Sequence, residues 1–243
     1  MAEIGVTTLG GVIALTLLAG LAMPLGAVLA HVEKIRPLWL EREFRHSILA
    51  FGGGALLAAV MLVLVPQGMA HLQPASAGFF LILGGLLFMA LDWALYRQGT
   101  PASQFLAMLA DFLPESIALG AVCAVVGEHV ILLAALIGMQ NVPEGFNAYR
   151  ELRQSEAFGS RKIILMFALM ALLGPVAGAA GYLWLSAYPQ VVSAVMLLAT
   201  GGILYSVFQD IAPQAKMRRR WAPAMGAILG FSVGVVGQML EAL

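Results

Sequence analysis

Asp111-Phe112-Leu113-Pro114-Glu115-Ser116 and Gln140-Asn141-Val142-Pro143-Glu144-Gly145 lie in two successive apolar segments, each with an oxygen-bearing side chain four positions ahead of the Glu of a Pro-Glu step. In a helix, four residues turn through about 400°, so Asp111 shares a face with Glu115, and Gln140 with Glu144, one turn apart. Pro114 and Pro143 have no N–H to give, which frees the carbonyls of Ala110 and Met139 and predicts helix bending beside each carboxylate. Acids and released carbonyls on a bent helix suit a cation.

Outward from this pair the chain is apolar. Hydrophobic residues make up 61% of its 243 and charged ones 11%, with a mean hydropathy of +0.91; soluble domains hold roughly 45–50% apolar residues. The composition excludes an ordinary soluble domain and points to an all-α integral membrane protein. About 20 residues cross the hydrocarbon, and eight segments meet that length, at residues 8–29, 47–66, 77–96, 104–126, 129–150, 162–183, 189–212 and 221–241. They form one transmembrane domain over residues 1–243, with little chain left for a soluble one.

All 13 Lys and Arg residues fall in alternate loops. Lys34, Arg36, Arg42 and Arg45 separate the first two segments, and Arg97 follows the third. Arg150, Arg153, Arg161 and Lys162 lie between the fifth and sixth, and Lys216, Arg218, Arg219 and Arg220 between the last two. Basic loops stay cytoplasmic, so both termini are expected outside. Cys123 is the only cysteine, which rules out an internal disulfide and leaves the compartment unread from thiols. The start, MAEIGV, lacks the basic region of a cleaved signal peptide, so the first apolar run is expected to remain as a helix. The stretch from His31 to Ser47, dense in both charges, reads as a solvated cytoplasmic linker.

The second and seventh segments resemble each other. FGGGALLAAVMLVLVPQ from Phe51 aligns without gaps to LATGGILYSVFQDIAPQ from Leu198, matching Gly54, Leu57, Val60, Pro66 and Gln67 to Gly201, Leu204, Val207, Pro213 and Gln214. By the charge rule these segments cross in opposite directions, the pattern of an inverted repeat. Helices one to three would then mirror six to eight, with the acidic pair of helices four and five on the pseudo-symmetry axis, where such folds place their substrate. Asp92, near the inner end of the third segment, reads as an interfacial residue, and Trp93, Trp184 and Trp221 as parts of aromatic belts.

An acid at mid-membrane costs about 2.5–3.5 kcal/mol on the insertion scale, so Asp111, Glu115 and Glu144 need a purpose. Counting ~1.5 Å per residue from the inner ends puts Asp111 at ~10 Å and Glu115 at ~16 Å, with Glu144 at ~9 Å and Gln140 at ~15 Å from the same side. The levels match, so three carboxylates and one amide can surround a point in the inner half. Such a group does not stay fully ionised alone; protons or a divalent cation supply the missing charge, which would couple ion release to proton movement. All four are oxygen donors, which favours Mn²⁺, Fe²⁺, Mg²⁺ or a loosely held Zn²⁺ over a tight thiolate or imidazole zinc site. Asn141 could add an oxygen, and Asp210, near the inner end of the seventh segment, could pass a cation onward or pair with the basic cluster beyond it. Met108 and Met139 read as packing rather than ligands.

Through its paired Pro-Glu motifs the chain resembles the ZIP (Zrt/Irt-like) family of divalent-metal transporters, whose helix four carries a HNxPEG-type motif and helix five one such as QDxPEG. The likeness extends to eight spans, outward termini, and LPEA-like ends of helices two and seven, here VPQG and APQA. It departs at Asp111-Phe112, where the family has His-Asn, at Asn141 for a common Asp, and at Gly174 for a helix-six Glu before Pro175. The resemblance implies carriage of a Zn, Mn or Fe class ion, with Cd²⁺ as surrogate, toward the cytoplasm by alternating access. It implies one ion held by Asp111, Glu115, Gln140 and Glu144, a mostly lost second site, and a homodimer. A plasma membrane, the inner one in a bacterium, is the expected location. A proton-coupled carrier of organic cations, with Glu115 and Glu144 as proton sites, and a metal-binding membrane sensor without transport are the alternatives. No enzyme is expected, because the His residues sit in loops or at span edges and no intramembrane nucleophile stands out.

Overall fold

Proline and polar loops punctuate the chain into long helices. The computed structural model describes residues 5, 7–33, 38–98, 101–125, 129–185, 187–217 and 221–241. Lys34, Arg36, Arg218, Arg219, Arg220 and residue 126 of the fourth expected span lie outside these. Helix α1 is Leu9–Val32, begun by Thr8, whose hydroxyl accepts from the Gly11 N–H at 3.2 Å. Helix α2 joins Leu38–Ala59, a π-helical turn Val60–Leu64, and Val65–Met69. Helices α3, Pro74–Gln98, and α4, Pro101–Val125, both open on a proline, which loses no helical bond in the first turn. Helix α5 is Val130–Gln154. Helix α6, Ser160–Leu185, is broken at Leu172 and ends in a π turn, Gly181–Leu185. Helix α7, Pro189–Ala215, contains a π turn at Val207–Ile211, and α8 is Ala222–Glu241.

Among the described residues all regular structure is helical, and seven of these helices, all but α5, are long and apolar enough to cross a membrane. The protein is therefore a multi-pass membrane protein. Helix α5 falls short in apolarity because it carries Gln140, Asn141, Glu144 and Asn147; it packs between α1 and α2, with Gln140 and Asn141 buried and Glu144 and Asn147 half-buried. It nevertheless runs the full depth. Phe112 meets Gly174, Gly120 meets Gly178 and Ile117 meets Gly181, so α4 and α6 run parallel, and the helix between them must return the chain across the layer.

Two sequence expectations change. The linker expected from His31 to Ser47 is helical from Leu38, since α2 continues beyond the apolar span in turns that expose charge. The single helix expected at residues 162–183 is broken at Leu172 and runs into a π turn, and those expected at residues 47–66 and 189–212 contain π turns beside a proline. In each of the latter two, the N–H of the residue before the proline bonds five residues back, Val65 to the Val60 carbonyl and Ala212 to the Val207 carbonyl. Pro66 and Pro213 cannot donate, and a widened turn is one way a helix absorbs that loss.

The helices associate through glycine. Apolar side chains gain little by leaving lipid for one another, so close backbone approach and dispersion must do the work. A Cβ on Gly54 would stand 2.0 Å from the Ala227 carbonyl oxygen, and one on Gly230 2.0 Å from that of Phe51, which fixes α2 on α8. Across the molecule Gly201 lies as tightly on Leu81 and Gly84 on Leu198, which fixes α3 on α7. Gly26 and Gly145 seat α1 on α5, as Gly120 and Gly181 seat α4 on α6. The solid core of the bundle includes Phe112, Leu119, Leu133, Leu136 and Phe167, each almost fully buried.

Candidate cation site

The two levels expected from the sequence are occupied pairwise. At the deeper one, Gln140 on α5 points its amide nitrogen at Glu115 on α4, 2.6 Å from each carboxylate oxygen. Both side chains are buried, at 3% and 1% exposure for Glu115 and Gln140. The Gln140 Oε1 atom and the neighbouring Ser116 hydroxyl have no partner among the described residues. A buried acceptor without a donor is costly, and a cation would satisfy it.

At the shallower level Asp111 and Glu144 face a cavity of about 200 Å³ between α2, α3, α4, α5 and α7. Ser206 of α7 donates to the Asp111 carboxylate at 3.1 Å. Asp92, Glu151 and Asp210 join the lining, with Asn147 and Gln214. Asp92 does more than sit at an interface, since Tyr205 donates to it at 2.8 Å and so ties α7 to α3. No Lys, Arg or His belongs to the lining among the described residues. A low-dielectric cleft of one sign concentrates ions of the other, so this cavity favours cations and repels anions. Glu151, Asp210 and Gln214 are exposed at the end of the bundle that carries the basic loops, and Glu115 and Gln140 lie buried near the middle of their helices.

Asp111, Glu115 and Glu144 are within electrostatic reach of one another. They do not converge on one point in this conformation; among the described residues no three His, Cys, Asp or Glu side chains form a group able to hold a metal ion. Asn141 is drawn elsewhere, its amide donating to the Ala19 carbonyl of α1 at 2.9 Å and its Oδ1 without a partner. Pro114 and Pro143 lie inside continuous helices, and Gly52 of α2 packs on the Pro143 ring. Met108 is buried and touches the cavity, while Met139 packs against the core.

Where the ZIP motif would place Asn, the Phe112 ring fills the space beside α1 and α6. Its tip lies 2.7 Å from a Cβ on Gly20 and 2.6 Å from one on Gly174. Sequence reasoning missed Ser206, Asn147 and Glu151; the position of Ser206 one turn before Asp210, on the same face of α7, was the available signal.

No protein-family model matches this chain, and no curated protein matches it.

Proposed function

We propose that this chain carries divalent transition-metal cations of the Zn, Mn and Fe class across the membrane, toward the side of the basic loops, as a divergent ZIP-like transporter. The observation that carries the reading is the buried Glu115–Gln140 pair behind a cavity whose charged lining residues are all acidic, Asp111 and Glu144 among them. Oxygen donors of mixed charge suit a borderline cation that must be released as well as bound. In the mechanism, Glu115 and Gln140 hold the ion through oxygen, Asp111 and Glu144 transfer it from that level to the acidic cleft, and the cleft releases it on the side of the basic loops. The packed side chains of Leu119, Leu133 and Leu136 close the path beyond Glu115, so this conformation is the inward-facing one.

An inverted repeat supplies the counterpart conformation. Three correspondences support it. The π turns fall at Val60–Leu64 and Val207–Ile211, equivalent positions in the sequence alignment of the two segments. The glycine contacts pair Gly54–Ala227 with Gly201–Leu81, and Gly230–Phe51 with Gly84–Leu198, as exchange of α2 for α7 and α8 for α3 requires. Helices α1 and α6 exchange likewise, each parallel to its own member of the central pair. Repeats that exchange packings give alternating access around a fixed site. With the basic loops cytoplasmic, both termini lie outside and transport is inward across a plasma membrane.

Purified protein titrated with Mn²⁺ and followed by the electron paramagnetic resonance of free Mn²⁺ tests the site. The free signal should fall with the native chain, should stay unchanged with Glu115→Gln, and should return when excess Cd²⁺ displaces Mn²⁺ from the native chain. Unchanged free Mn²⁺ in the native protein would contradict the reading and favour an organic cation or the proton itself as cargo.

A further inference from the structure

A second cavity lies away from the carboxylates, against the lipid-facing side of α2, α7 and α8. It has a volume of about 380 Å³ and is almost wholly apolar. Gly53 forms part of its floor, Phe208, Ile211 and Ala224 part of its walls, and Lys216 its rim. Small residues and the π turn at Val207–Ile211 together explain the gap, because a widened turn displaces α7 from the α2 surface without a large side chain to refill it. In a bilayer an apolar cleft open to lipid is filled by hydrocarbon. Lys216 adds a second feature: it is exposed, it makes no ion pair among the described residues, and no carboxylate lines the cleft. It stands where α7 ends, at the level of the basic loops and therefore of the headgroups.

We infer that this cleft is a binding site for one anionic phospholipid, its acyl chain between α2, α7 and α8 and its phosphate on Lys216. Basic residues at the mouth of clefts between transmembrane helices recognise such headgroups. The occupant would bear on the carrier itself, because Ile211 lines both this cleft and the acidic cavity. A zwitterionic lipid would fill the cleft equally well by its chain but would gain less from Lys216, and a second copy of the protein would have to insert a side chain into a concave, small-residue floor.

Thermal unfolding in dodecyl maltoside, with phosphatidylglycerol or phosphatidylcholine of identical chains added, tests this independently of transport. Phosphatidylglycerol should raise the midpoint at lower concentration, and Lys216→Ala should raise the half-maximal concentration about 5-fold. Lys216 is exposed, so this variant keeps the fold. Phosphatidylglycerol with a diazirine in its acyl chain should label the walls at Phe208 or Ala224, and Ala224→Phe should suppress that labelling. Equal response to the two lipids, no effect of Lys216→Ala, or labelling confined to other faces would overturn the assignment. Copy-to-copy cross-links from Ala224→Cys would overturn it too, in favour of a dimer contact.

Discussion

Glu115 takes both of its hydrogen bonds from one nitrogen of Gln140, so the pair stands or falls together. Gln140→Leu strips a buried carboxylate of its donor, which costs about 1–3 kcal/mol, whereas replacing both partners by apolar groups of similar shape is nearly neutral. Thermal unfolding should therefore find Gln140→Leu less stable than the Glu115→Leu/Gln140→Leu double variant; additive losses would refute the coupling. Phe112 is the other informative residue. Its ring fills the space between Gly20 and Gly174, and Phe112→Ala should cost about 3–5 kcal/mol on the scale of buried aromatic truncations. Much of this was legible in the sequence. A fixed rise per residue, counted from charged loops, put Glu115 level with Gln140 and Asp111 level with Glu144. Ser206 could have been found one turn before Asp210, but Glu151 and Asn147 were not legible as cavity residues, because which side chains of α5 turn inward depends on how that helix packs on its neighbours.

At the scale of helices, the glycines make the sharpest claims. Gly54→Ala and Gly201→Ala each push a methyl group into a carbonyl oxygen about one bond length closer than contact allows, and overpacking of this kind costs about 1–3 kcal/mol. Both should lower the unfolding midpoint by comparable amounts, and Gly78→Ala should not, since nothing lies within 4 Å of its added Cβ. A Gly78 variant as damaging as the other two would mean that helix association does not rest on these contacts. The small residues of the apolar segments announced close packing, but the sequence did not say which glycine meets which helix. The π turns were similarly hidden. Pro66 and Pro213 signalled a missing donor, but a kink and a bond five residues back both answer that loss, and the sequence did not choose between them.

For the whole molecule, the parallel pairs α1 with α5, α2 with α8, α3 with α7 and α4 with α6 fit a chain that crosses eight times, and the alternating charge of the loops predicts its orientation. Cys123 is the only thiol, so Cys123→Ala provides a clean background for cysteine mapping. An impermeant maleimide should label Thr8→Cys on intact cells and Ser155→Cys only after permeabilisation; equal access to both would invert or break the topology. The all-helical membrane class and the number of long helices were read correctly from apolar length, although α5 is too polar to be recognised by composition alone. The central claim is cargo and path together. Uptake of Mn²⁺, Fe²⁺, Zn²⁺ and Cd²⁺ into proteoliposomes, compared among the native chain, Glu115→Gln and Glu144→Gln, addresses it most directly. Metal-selective flux that falls about tenfold or more in both variants is the predicted result. A folded native protein that moves none of these ions in either direction, or variants that move them as fast as it does, would contradict the account.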